Sequence, residues 1–216
     1  MQRRDFLKRS TATTAAASCA GPLFLNAGDK GGTRKPVIGK GAYRYECIHN
    51  WGRLPGHIRW ETTHGVCIDE EGLVYIKHQG HGGRALDTIV VFDARGKFVR
   101  SFGKGYYPGG HGIDVRKEGK EQFLYLCDIH HGWVVKTDLK GKEVWKMGAP
   151  KEPGVYKPGN AYRPTNVAFA PDGGFYVGDG YGSNYLHQYD KDAKWLRTWG
   201  GTGTKPGQVQ TPHGLW

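Results

Sequence analysis

The sequence lacks the features that mark several common protein classes. Its four cysteines, Cys19, Cys47, Cys67 and Cys127, form no CxxC pair, which argues against a cysteine zinc site of the finger or ribbon kind. Removing an N-terminal leader leaves three, an odd number that offers no disulfide framework. Cys67 and Cys127 lie inside apolar strand patterns, where cysteine serves as a small buried hydrophobe. The chain has no run of roughly 20 apolar residues, the length a spanning helix needs. Lysine and arginine outnumber aspartate and glutamate, 31 to 20, but they form no basic run. Four of the basic residues, Arg3, Arg4, Lys8 and Arg9, sit at the extreme N-terminus, and the others are interspersed with acids. Nucleic-acid binding would want a concentrated basic stripe, so no nucleic-acid partner is expected. Helix-favouring stretches are also few. Glycine is abundant, with 35 of 216 residues, and aromatics make up 12%. That balance fits many short strands joined by tight turns.

The N-terminus reads as an export signal. Arg3-Arg4 precede Phe6-Leu7-Lys8, and a small-residue run from Thr11 to Ala20 follows. A basic segment ahead of a short apolar one is a secretory leader, and the adjacent arginines mark the twin-arginine route. Leu25-Asn26-Ala27 offers a cleavage site, giving a periplasmic or secreted mature chain that starts near residue 28 and has no spanning segment. Ala16-Ala17-Ser18-Cys19 is the alternative, a lipobox without its usual leucine.

Three segments of the chain repeat one pattern of four short strands, at residues 62–103, 110–148 and 164–200. From His64 to His111 is 47 residues, from His111 to Asn166 is 55, and from Asn166 to His213 is 47. A four-stranded unit of this period is a β-propeller blade. The turns support the division. Asp69-Glu70-Glu71-Gly72 and Pro171-Asp172-Gly173-Gly174 join first and second strands. Asp93–Lys97, Asp138–Lys142 and Asp190–Lys194 join third and fourth strands, with aspartate capping the turn and glycine supplying positive φ. In the last of these loops Ala193 replaces the glycine, so a strained turn or another turn type is expected there. Residues 28–42 read as a linker. Residues 43–52 read as an orphan fourth strand that would close a ring, and residues 211–216 as the first strand of a fourth blade. The expectation is an all-β fold, about three blades of a six-bladed propeller that continues beyond Trp216.

First strands line the channel of a propeller, so the residues that recur there are candidates for a site. His111 and His213 hold matching positions in alternate blades, about 120° apart in a six-bladed ring. Three histidines so arranged would converge on the axis, and three neutral imidazoles with one open position make a catalytic zinc geometry. The third ligand is expected from the sixth blade. His64 holds the same position in the first blade and is expected to bind a second species or a water. The competing reading is that each His-Gly pair only shapes the entry to a strand.

The repeats resemble the NHL family of propellers, and within it the peptidyl-α-hydroxyglycine α-amidating lyases. The resemblance covers roughly residues 62–216. Gly110-His111-Gly112-Ile113-Asp114 resembles the lyase's first zinc-histidine strand. Pro164-Thr165-Asn166-Val167-Ala168 with Asp179-Gly180-Tyr181 resembles the segment that carries its catalytic tyrosine. Pro212-His213-Gly214-Leu215 resembles its second zinc-histidine strand. The resemblance implies zinc at His111 and His213, with calcium as the second candidate cation, and Tyr181 as the proton acceptor. It also implies a small-molecule or peptide ligand at the channel mouth. Two positions depart from the family. Gln79 stands where the lyase has an arginine, with Arg84 or Arg163 as candidate substitutes, and Gly182 stands where a cysteine follows the tyrosine. A non-catalytic propeller that binds a ligand or protein on its face is the alternative, since fold alone does not choose.

Overall fold

A computed structural model describes residues 36–59, 62–80, 83 and 86–216. The leader at 1–27, the start of the 28–42 linker and Arg84 lie outside the described residues. The chain divides into two units, Met1–Asn50 and Trp51–Trp216. Within the first, β1 (Val37–Lys40) and β2 (Tyr43–Glu46) form an antiparallel hairpin closed by Lys40 opposite Tyr43. The partner of the predicted orphan strand therefore comes from the stretch read as a linker. Gly41, at φ +58°, supplies the left-handed residue of the two-residue turn.

The second unit contains three four-stranded antiparallel sheets, each running in chain order from first strand to fourth. The first sheet holds β3 (Thr63–Ile68), β4 (Val74–His78), β5 (Ile89–Phe92) and β6 (Phe98–Phe102). The second holds β7 (Gly110–Glu118), β8 (Glu121–Asp128), β9 (Trp133–Asp138) and β10 (Glu143–Met147). The third holds β11 (Asn166–Phe169), β12 (Phe175–Gly178), β13 (Tyr185–Tyr189) and β14 (Trp195–Gly200). The first strands pack side by side, β7 between β3 and β11. These are three propeller blades. Among the described residues no helix is long and apolar enough to cross a membrane.

Strand periodicity explains how the blades stack. Successive side chains of a strand point to opposite faces of its sheet. In β8, Leu124 and Leu126 join Cys67, Tyr75, Ile89 and Val91 in one core cluster, between blades 1 and 2. The alternate residues Tyr125 and Cys127 join Val167, Phe175 and Val177 in another, between blades 2 and 3. Both faces of β8 are buried, so Phe123-Leu124-Tyr125-Leu126-Cys127 reads as a continuous apolar run. Cys67 and Cys127 are free and buried, and burial pushes the Cys127 thiol up to about 12.

Aspartate sets the three loops between third and fourth strands in one way. The Asp93 Oδ1 accepts from the backbone N–H groups of Arg95 and Lys97, Asp138 from Lys140 and Lys142, and Asp190 from Asp192 and Lys194. Gly96 and Gly141 occupy the left-handed position at φ +77° and +91°, and Ala193 takes it at φ +60°. The third loop is therefore the same turn with an alanine held in a region that disfavours it. Ala193→Gly is expected to stabilise the protein by about 0.5–1 kcal/mol, relief of left-handed strain less the added freedom of the unfolded chain. A denaturant midpoint that stays or falls would contradict this.

Residues 211–216, read from the repeat as the start of a further blade, are held on blade 3. No neighbouring strand pairs with them among the described residues, and side chains of blade 3 take up their backbone groups instead. Thr165 Oγ1 donates to the Pro212 carbonyl at 3.0 Å, Asn166 Nδ2 to the Leu215 carbonyl at 3.1 Å, and the Thr211 N–H to Asn184 Oδ1 at 3.1 Å.

Candidate metal centre and its tyrosine

The inner strands meet where glycine follows histidine. A Cβ on Gly65 would lie 2.7 Å from the Ile113 nitrogen and 2.9 Å from the His111 carbonyl oxygen. On Gly112 it would lie 2.5 Å from the Thr165 carbonyl oxygen, and on Gly110 1.9 Å from that of His78. None of the three has positive φ, so close approach of the next blade is what requires glycine here. The His-Gly pairs thus do shape the strand entry, and the glycines account for it. The imidazoles are left to be explained by what surrounds them.

His64, His111 and His213 each present a ring nitrogen to one cluster, all within 4.8 Å of one another. The alternate-blade argument set His64 apart from the other two, but the close packing of β3 on β7 brings it in. Its ring stacks on His111 with centroids 4.2 Å apart, and His213 meets His111 edge-on at 4.8 Å. The cluster lies in a cavity of about 390 Å³ that Asn166, Val66 and Ile113 also line.

His111 tests whether these residues suit a cation. It is 2% exposed. Its Nδ1 lies 2.7 Å from the Thr165 carbonyl, which can only accept, so Nδ1 carries the proton. Burial is the main cause that lowers its pKa to about 4, and His64 and His213 push the same way. The ring is therefore neutral at pH 7, with its lone pair on Nε2. That nitrogen is buried and has no hydrogen-bond partner. A carbonyl bound to one ring nitrogen, with the other presented bare, is how ligating histidines are oriented. Burial and His213 lower the pKa of His64 as well. The donor set fits a divalent cation of zinc's preference.

Tyr181 sits in the loop between β12 and β13, beside this cluster. Its hydroxyl lies 2.8 Å from His213 Nε2, and its ring is 5.1 Å from that of His111. It is 40% exposed. Gln79 Nε2 lies 3.2 Å from His64 Nε2, so the position where the lyase has arginine contacts a histidine of the cluster. Arg163 is exposed and contributes its backbone to the tyrosine loop, with its carbonyl facing the Tyr181 N–H at 3.4 Å. Gly182 has no room for a side chain, because a Cβ would fall 1.9 Å from Asp179 Oδ1.

Sequence reasoning missed the group that holds this loop. Asp179 is fully buried. Its carboxylate accepts from the Arg163 N–H at 2.7 Å, the Ser183 N–H at 2.7 Å and the Tyr156 hydroxyl at 2.9 Å. Burial raises its pKa, and these donors act against that rise. One signal was available. Asp128 ends β8 as Asp179 follows β12, and it too caps the loop that follows, accepting from the backbone of His130 and His131.

No family model matches the chain. Peptidyl-glycine alpha-amidating monooxygenase A of Xenopus laevis is 29% identical over 162 residues, which are 68% of this chain and 16% of that protein. A probable peptidyl-alpha-hydroxyglycine alpha-amidating lyase of Caenorhabditis elegans is 25% identical over 131 residues, 59% of this chain and 36% of the relative. The chain thus spans only a minor part of the relatives it matches. Among solved structures, virginiamycin B lyase from Staphylococcus aureus aligns at 13% identity and TM-score 0.44, covering 68% of this chain and 42% of that one. Hydrazine synthase of Kuenenia stuttgartiensis aligns at 18% and 0.45, covering 68% and 39%. The sheets define the class, a partial all-β propeller, with three histidines and a tyrosine clustered beside its first strands. Within that class, the chain is a distant homologue of the α-amidating lyases.

Proposed function

We propose that the chain is part of an exported, zinc-dependent lyase that cleaves peptidyl-α-hydroxyglycines to a peptide amide and glyoxylate. The observation that carries this reading is the 2.8 Å contact between the Tyr181 hydroxyl and His213 Nε2, at the edge of a three-histidine cluster, in a chain homologous to such lyases. Zinc held by His64, His111 and His213 would supply a Lewis acid that makes a substrate hydroxyl more acidic. The residues themselves handle orientation and the proton. The Thr165 carbonyl holds the His111 ring with Nε2 forward. Tyr181 would take the hydroxyl proton at its phenolic oxygen. The carbon–oxygen bond of the substrate would become a carbonyl, the bond from that carbon to the amide nitrogen would break, and the nitrogen would leave with the proton returned by Tyr181.

Two measurements on the complete protein test the reading, bound zinc by elemental analysis and glyoxylate release from a peptidyl-α-hydroxyglycine. One zinc per chain with glyoxylate release is expected. A protein that neither carries nor takes up metal would be a ligand-binding propeller instead. Export rests on Arg3-Arg4 with Phe6-Leu7-Lys8. Replacing both arginines with lysine is expected to leave the protein in the cytoplasm, and fractionation that finds it exported would end that part of the proposal.

A further inference from the structure

The connection between β10 and β11 is long. From His111 to Asn166 is 55 residues, where the blades on either side repeat in 47. The connection is bonded to the loop that carries Tyr181 at several points. The Tyr156 hydroxyl and the Arg163 N–H donate to Asp179, and Ser183 Oγ donates to the Ala161 carbonyl at 2.9 Å. Behind Tyr156 lies His187, fully buried in β13. Its Nε2 is 2.7 Å from the Tyr156 hydroxyl oxygen and its Nδ1 is 2.8 Å from Thr198 Oγ1. Thr198 in turn accepts from the Trp195 indole N–H at 2.9 Å.

The donors leave one way to arrange these protons. Tyr156 has a single hydroxyl hydrogen and gives it to Asp179, so its oxygen must accept from His187 Nε2–H. Burial keeps His187 neutral, lowering its pKa to about 4, so its Nδ1 is bare and accepts the Thr198 hydroxyl hydrogen. Thr198 oxygen is then the acceptor for Trp195, whose indole can only donate. The result is a one-directional chain from Trp195 through Thr198, His187 and Tyr156 to Asp179, two residues before Tyr181. Buried polar chains in which every member is satisfied make their parts rigid.

We propose that this chain holds Tyr181 in place, with Tyr156, His187 and Thr198 as positioning residues that act through Asp179. The proposal rests on the reading of Tyr181 as the base. It explains why the connection is long enough to bring a tyrosine over Asp179. It also explains why a threonine on the outermost strand of blade 3 bears on a loop it does not touch. Thr198 sets the tautomer of His187. Without its hydroxyl, His187 is free to move its proton to Nδ1, and Tyr156 must then choose between His187 and Asp179.

The test uses the full chain with 3-fluorotyrosine at position 181, read by fluorine NMR alongside turnover and zinc content. A single narrow line is expected in the parent. Tyr156→Phe is expected to shift or broaden that line and lower kcat about tenfold, the size of one hydrogen bond's worth of misplacement, with KM and zinc unchanged. Thr198→Val is expected to move the line in the same direction, and Thr198→Ser to restore it. A folded Tyr156→Phe protein with an unmoved line would overturn the proposal, as would a Thr198→Ser line that matches Thr198→Val. The two readings separate cleanly. A parent without turnover whose fluorine line still responds removes the lyase and keeps the positioning. A parent with full turnover whose line never moves does the reverse.

Discussion

Replacing His213 with alanine is expected to cost the complete protein both its zinc and its activity. His213 has two attachments in this site. Its ring edge faces His111 at 4.8 Å, and its Nε2 meets the Tyr181 hydroxyl. Alanine removes one of three neutral nitrogen donors. Removing even an outer-shell partner of a ligating histidine costs about 10–100-fold in metal affinity, so losing a ligand should exceed about 100-fold. Zinc content after dialysis against a weak chelator measures this directly. The fold should survive, since the His213 side chain is exposed and its segment is held through backbone carbonyls and the Thr211 N–H. A well-folded His213→Ala protein that keeps stoichiometric zinc would remove His213 from the site.

Tyr181→Phe separates metal from chemistry. Phenylalanine keeps the ring beside His111 and removes only the hydroxyl. Zinc content should therefore match the parent, while turnover falls about 10²–10⁴-fold, the range for losing a positioned general base. Substrate affinity should change little. If the variant turns over normally, the proton goes elsewhere and Tyr181 is a packing residue of the channel mouth. If it loses zinc with turnover, the hydroxyl supports the cluster and is not the base. Set beside His213→Ala, this outcome decides whether the cluster and the tyrosine act as one unit.

The blades were legible because two independent patterns agree, a spacing near 47 residues and aspartate-led turns at fixed offsets. Geometry made Ala193 less legible. The sequence shows that a glycine is missing, and only the backbone shows that the turn keeps its form with alanine at φ +60°. Residues 211–216, which the repeat reads as a first strand, pair with no strand among the described residues. His111 and His213 were visible from their place in the repeat. The inclusion of His64 was not, because angular spacing around an ideal ring says nothing of how far neighbouring first strands have slid together. Tyr156 and His187 were invisible for another reason. Their hydrogen-bonded chain has no period, and its members come from a connection, a loop and two strands, brought together only by packing.

The glycines at 65 and 112 have a consequence for how such a centre can change. Main chain rests on main chain at these points, so the gap between neighbouring imidazoles is gauged by atoms that cannot be traded for softer ones. The side chains beside these glycines take no part in that main-chain contact. Asn166, on the first strand of blade 3, already carries an amide that reaches the Leu215 carbonyl. The architecture thus separates a rigid ruler from exchangeable markings. New chemistry can be tried one blade at a time without recalibrating the distance between blades.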